Sequence, residues 1–237
     1  MTLIAAMPNF KELLPLVQLA CEAAYELDDK KCYDLVTSYG MEFIKEIGNG
    51  QCFITICKWN GDLVLGIRGT QFTDGFSLKQ LLDNERFDKV TASEIPGFAM
   101  DGYATPLWSL LDANVIPWTP RTYIVGHSMG GIRTLLTPVK VPENVKVVRV
   151  ALAPPCGADK RFAEFMDAKY GSPMVIGREK DFALNHPILA PCFIQQYPVL
   201  HIENATPSWV EKWPWWDESI EDHKPGKYLA DWLKLCL

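Results

Sequence analysis

The feature that most restricts the fold is a five-residue turn, Gly126-His127-Ser128-Met129-Gly130, set between a short strand and a helix. Thr122 to Val125 runs into it as an extended, apolar segment, and Gly130 to Leu136 leaves it as a helix. Chance alone supplies on the order of 0.1 Gly-x-Ser-x-Gly match in a chain of this length, so the flanks decide what the match means. A serine on a sharp strand-to-helix turn needs neighbours without side chains two positions before and after it, and Gly126 and Gly130 supply them. A helix starting there also aims free N–H groups and the positive end of its dipole at negative charge developing beside the serine.

The rest of the chain alternates in the same manner. Val145 to Ala153 is a continuous apolar run, as expected of a parallel strand buried on both faces. Phe162 to Tyr170 and Tyr228 to Leu237 read as helices, Met174 to Ile176 as a strand, and Phe193 to Ile202 as extended. Nearer the N-terminus, Cys52 to Trp59 and Asp62 to Ile67 form a hairpin about Asn60-Gly61, a dipeptide suited to a turn with positive φ angles. Asn9 with Glu12 resembles a capping box, followed by a helix with Val17, Ala20, Cys21 and Ala24 on one face. Pro15 either kinks that helix or marks its first turn. A further helix covers Thr105 to Leu111. The prediction is an α/β fold with a mostly parallel central sheet, helices on both faces and an antiparallel hairpin at the N-terminal side.

One domain accounts for all 237 residues, 48% of them hydrophobic, with a polar, turn-rich segment at residues 71–92. Within that segment Asp74-Gly75 marks a turn, and Ser77 caps a short helix carrying Leu78, Leu81 and Leu82. A net charge of −6 with scattered lysines and arginines leaves no basic footprint for a nucleic-acid partner. No apolar run reaches the length of a membrane span. The seven cysteines are odd in number and lack Cys-x-x-Cys spacing, which argues against a metal site or disulfide framework. With no signal peptide visible, they weakly favour the cytoplasm, a secreted mature form remaining open. Trp209, Trp213, Trp215 and Trp216 wall a binding site, touch a lipid surface transiently, or simply pack in the core.

Ser128 requires a base, and the base an orienting carboxylate. His186, His201 and His223 follow Ser128 in the chain. His201 sits in an apolar run and reads as core, His186 precedes a proline, and His223 lies in a polar loop before the last helix, where this architecture places its base. His127, inside the turn, reads as a brace. Asp181, just beyond the strand ending at Ile176, stands at the carboxyl end of the sheet, where α/β sheets assemble their sites. Asp217 and Asp222 are its rivals.

Several segments taken together resemble the class 3, fungal-type lipases and their feruloyl-esterase relatives within the α/β-hydrolase superfamily. Leu19-Ala-Cys-Glu-Ala-Ala-Tyr25 is similar to that family's first helix, Leu65-Gly-Ile-Arg-Gly-Thr70 to its Arg-Gly-Ser/Thr strand end, and Gly126 to Gly131 to its GHSLGG. Met100-Asp-Gly-Tyr103 resembles its His-x-Gly-Phe turn, with Met and Tyr as departures, and Ala151 to Asp159 resembles its T-F-G-x-P-R-x-G-N/D segment. Arg178-Glu-Lys-Asp181-Phe-Ala-Leu-Asn-His-Pro187 looks like N-x-x-D-x-V-P-x-L-P, and Asp222 to Tyr228 resembles the histidine loop. The resemblance implies an α/β-hydrolase fold and a serine carboxylic-ester hydrolase, lipase or esterase, with Ser128, His223 and Asp181 as triad. It implies an oxyanion hole from the Met129 and Thr70 backbone N–H groups, Arg68 as a structural brace, residues 71–92 as a lid or flap, a small-molecule or lipid ester as substrate, and no cofactor or metal. A thioesterase or acyltransferase on the same triad, or a catalytically silent binding domain, are the alternatives.

Overall fold

The computed structural model describes residues 9–70, 88–92, 94–178, 181, 183–184, 199–202, 206–208 and 222–236. Two helices open it, α1 (Phe10–Cys21) and α2 (Asp29–Ser38), joined by a 3-10 turn at Ala23–Tyr25. Three antiparallel strands follow, β1 (Glu42–Gly48), β2 (Phe53–Trp59) and β3 (Asp62–Ile67). A short antiparallel pair, β4 (Lys89–Val90) and β5 (Ala99–Met100), leads into α3 (Asp101–Asp112). The alternating half comprises β6 (Arg121–His127), α4 (Met129–Leu136), β7 (Lys146–Leu152), α5 (Lys160–Tyr170) and β8 (Met174–Gly177). Two short strands, β9 (Val199–His201) and β10 (Thr206–Ser208), and the helix α6 (Pro225–Leu235) complete the described chain.

Eight strands form one sheet in the order β1-β2-β3-β6-β7-β8-β9-β10. The five central strands, β3 to β9 in that order, run parallel, and antiparallel strands border them on both sides. The alternation of side chains along each strand divides the interior in two. Ile54, Leu65, Ile124, Ala151 and Val175 face one core with Tyr103, Leu107, Ile132 and Phe162 of α3, α4 and α5. Cys57, Val64, Val125, Val150 and Ile176 face the other with Leu16, Leu19, Val36, Tyr228 and Trp232 of α1, α2 and α6. Helices thus cover both faces, which is why the parallel strands are apolar nearly throughout. This is the α/β-hydrolase-type layering that the sequence predicts.

Local chemistry sets the turns. Asn60 and Gly61 adopt φ of 53° and 84°, the left-handed pair that joins β2 to β3 in two residues. Helix α1 starts after Asn9, but the Asn9 side chain makes no capping bond, so the expected capping box is absent. Pro15 lies inside α1, in its second turn, and not at its start. α6 begins at Pro225, three residues before the predicted boundary, with proline in its first turn, where its missing N–H costs nothing. α2, β1 and the β4–β5 pair were not foreseen. Among the described residues no helix is long and apolar enough to cross a membrane. The predicted short helix at Ser77–Leu82, most of the 71–92 flap and the tryptophan cluster 209–216 lie outside the described residues.

Candidate active site

β6 delivers the chain to Ser128, and α4 begins at the next residue. Ser128 has φ 59° and ψ −127°, a conformation that a side-chain-bearing residue adopts only where its surroundings force it. The force comes from close backbone packing. A Cβ on Gly126 would lie 2.4 Å from the Gly130 carbonyl oxygen, and one on Gly130 would lie 2.0 Å from that of Ile67. The Ser128 N–H donates to Leu152 O at 2.9 Å, and the Ser128 carbonyl accepts from Gly131 N at 2.8 Å and Ile132 N at 3.2 Å. The side chain is 5% exposed.

The Ser128 Oγ stands 2.6 Å from His223 Nε2, and His223 Nδ1 stands 2.8 Å and 3.0 Å from the two oxygens of Asp181. Of the candidates weighed from sequence, this is the set brought into one chain. Asp222, the neighbour of His223, instead accepts from Arg178 Nη2 at 2.9 Å. Asp217, His186 and the side chain of His201 lie outside the described residues. Asp181 is fully buried and saturated with donors: Ala183 N–H to Oδ1 at 2.8 Å and the Tyr228 hydroxyl to Oδ2 at 2.6 Å. A carboxylate acceptor at Nδ1 makes that nitrogen the protonated one, so Nε2 turns a lone pair toward the serine.

The end of β3 passes beside the same serine. A Cβ on Gly69 would meet Ser128 Cβ at 3.1 Å, the His127 carbonyl at 2.4 Å and the Tyr25 hydroxyl at 2.2 Å, so only glycine permits this approach. Thr70 comes next, and its buried Oγ1 has no hydrogen-bond partner among the described residues. Met129, first residue of α4, has no intrahelical acceptor for its N–H. Arg68 is the expected brace: its guanidinium donates to Ala24 O at 2.5 Å and Glu26 O at 3.1 Å and pairs with Glu46 at 2.9 Å.

No family model and no curated protein sequence matches the chain. Solved structures do. A triacylglycerol lipase whose catalytic centre is a serine protease triad superimposes with a TM-score of 0.71 at 13% identity, over 92% of this chain and 94% of that one. Lipase II from Rhizopus niveus gives 0.68 at 14% identity, covering 92% and 94% of the two chains. The Rhizomucor miehei lipase propeptide complex gives 0.66 at 14%, covering 92% and 80%. The chain has the fungal-lipase fold.

His127, expected from the sequence to brace the turn, packs among Tyr25, His223 and Tyr228. Its Nδ1 is 2.9 Å from the Tyr25 hydroxyl, its ring centroid is 4.9 Å from that of His223 and 5.3 Å from that of Tyr228, and it is fully buried. Burial first, and the neighbouring His223 second, hold its pKa well below the ordinary 6.5. The folded state therefore keeps His127 neutral while the unfolded chain takes up a proton as pH falls below about 6.5. Because the folded pKa is the lower one, this contribution to stability is lost on acidification. His127→Gln is expected to flatten the fall in unfolding free energy on the acid side by up to about 1.4 kcal/mol per pH unit. Denaturant titrations between neutral and mildly acid pH measure it; an unchanged slope would contradict this assignment. Tyr25 and Tyr228, which complete the surround, escaped sequence reasoning although both lie in segments resembling the fungal lipases.

Proposed function

We propose that the chain is a serine carboxylic-ester hydrolase of the lipase or esterase kind, with Ser128 as nucleophile, His223 as base and Asp181 as the group that orients and charges against it. The observation that carries the reading is the unbroken contact chain from Ser128 Oγ through both nitrogens of His223 to Asp181. His223 Nε2 takes the hydroxyl proton as Oγ attacks the ester carbonyl, and Asp181 stabilises the imidazolium that forms. The oxyanion is received by the Met129 and Thr70 backbone N–H groups, with the Thr70 hydroxyl, unpartnered among the described residues, as a third donor. The imidazolium then protonates the leaving alkoxide, giving an acyl-enzyme and an alcohol. Water, deprotonated by the same histidine, attacks the acyl carbonyl; the carbonyl carbon–Oγ bond then breaks as the imidazolium returns the proton to Ser128 Oγ, and the acid is released. Each step uses side chains, backbone N–H groups and water alone.

The substrate is an ester of a small molecule or a lipid. The triacylglycerol lipase among the structural neighbours supports the lipid choice. The test is labelling by a serine-directed fluorophosphonate together with hydrolysis of nitrophenyl esters of increasing chain length. One label per chain, abolished by Ser128→Ala, and turnover of esters is the expected result. A chain that takes no label, or is labelled equally in the variant, would falsify the reading. A short-chain optimum with no gain at an emulsion surface would leave the esterase and remove the lipase.

A further inference from the structure

Arg178 joins the strand that carries the acid to the loop that carries the base. It follows the last residue of β8, and its carbonyl accepts from the Asp181 N–H at 3.1 Å, closing the turn that presents the acid. Its own N–H donates to the Tyr228 hydroxyl at 3.0 Å, the same hydroxyl that donates to Asp181. Its guanidinium reaches across to two carboxylates of the other segment. Nη2 pairs with Asp222 at 2.9 Å, one residue before His223, and Nη1 pairs with Asp231 on α6. In the motif that this segment resembles, an asparagine stands where this chain has Arg178, so an asparagine's short amide could not make the same two-ended contact.

We propose that Arg178 is a positioning residue for the reaction: it clamps the histidine segment to the acid-bearing strand end, and so sets His223 between Asp181 and Ser128. The proposal rests on the triad reading given above. Asp222 and His223 lie in a turn just before α6, which starts at Pro225, so the side-chain contacts beside the imidazole contribute to its orientation. The clamp is well sheltered, Arg178 being 14% exposed, Asp222 21% and Asp231 13%, and salt screens such pairs poorly. A planar guanidinium can address two acids in two directions at once; an ammonium on a flexible stem cannot do this with the same definition. Displacement of a catalytic group by about 1 Å costs on the order of a hundredfold in rate.

The experiment compares wild type, Arg178→Ala and Arg178→Lys on a short-chain ester, with active sites counted by fluorophosphonate titration to its end point. Arg178→Ala is expected to lower kcat per labelled site by about a hundredfold with KM within about twofold. Arg178→Lys should recover part of that loss. Guanidinium ion at low, non-denaturing concentration should accelerate the alanine variant and leave wild type unaffected. A merely structural arginine would instead reduce the number of labelled sites and leave kcat per site alone, and that result overturns the proposal. So does a loss that neither lysine nor guanidinium repairs. Where Arg178→Ala fails to fold, Arg178→Lys decides: kcat per site equal to wild type overturns the clamp, and a reduced kcat at unchanged KM sustains it. A wild-type chain that takes no label at Ser128 brings down the triad reading itself, on a separate measurement.

Discussion

Ser128→Ala and His223→Ala are each expected to lower kcat/KM for an ester by about 10⁴- to 10⁶-fold, and the double variant is expected to be no slower than the worse single one. The non-additivity follows from the contact chain. The first proton that the imidazole moves is the one on Ser128 Oγ, 2.6 Å away, and every later step depends on that transfer. Once that hydroxyl is gone the base has nothing to abstract, and once the base is gone the hydroxyl is a weak nucleophile. Both variants should fold. Ser128→Ala removes one oxygen from a position whose backbone conformation alanine shares in cost. His223→Ala withdraws one donor from the fully buried Asp181, but the Tyr228 hydroxyl and the Ala183 N–H still donate to that carboxylate. The activity left in both should come from binding and the oxyanion donors, which the substitutions leave in place. Steady-state kinetics on the three variants is the measurement. Losses that multiply in the double variant would mean that the two side chains act independently and that no triad operates.

What was legible in the sequence was local. The Gly126–Gly130 turn announces itself because its demands, two side-chain-free positions about a serine between strand and helix, fall within five residues. Asn60-Gly61 is legible for the same reason, a φ requirement written in two letters and met at 53° and 84°. Asp181 and His223 required more, since 42 residues separate them and nothing local ties an acid to a particular histidine. Their assignment came from the order of several modest resemblances. Tyr25, Arg178 and Tyr228 escaped because their partners are remote: Tyr25 meets His127 across 102 positions, and Tyr228 meets Asp181 across 47. β1 escaped for a different reason. As the edge strand beside β2 it buries Ile47 alone, so Glu42 to Gly48 lacks the apolar alternation that marks an interior strand. α2 likewise buries only Cys32 and Val36. Its one clear signal is Asp28 at the N-cap, which accepts from Lys31 N at 3.0 Å.

Gly130→Ala is expected to destabilise the fold strongly. Gly130 lies in the first turn of α4, and by helix propensity alone alanine would be favoured there by about 1 kcal/mol. Packing reverses the sign. The added Cβ would stand 2.0 Å from the Ile67 carbonyl oxygen, 2.9 Å from its carbon and 3.0 Å from the Arg68 carbonyl carbon. All three atoms are backbone, at the carboxyl end of β3, so no side-chain rotation relieves the contact. Either α4 or the end of β3 must move. Overpacking of this kind costs about 3 kcal/mol, which outweighs the propensity gain. The same movement carries Arg68, Gly69 and Thr70 away from the serine, so activity should fall even in the fraction that stays folded. Gly226→Ala is the control: it too lies in the first turn of a helix, α6, with nothing within 4 Å of the added methyl among the described residues, and should be neutral or mildly stabilising. Denaturant unfolding of the two variants tests the argument. A Gly130→Ala protein as stable as wild type, and as active, would mean that the strand end and the helix are not pressed together at the turn that presents Ser128.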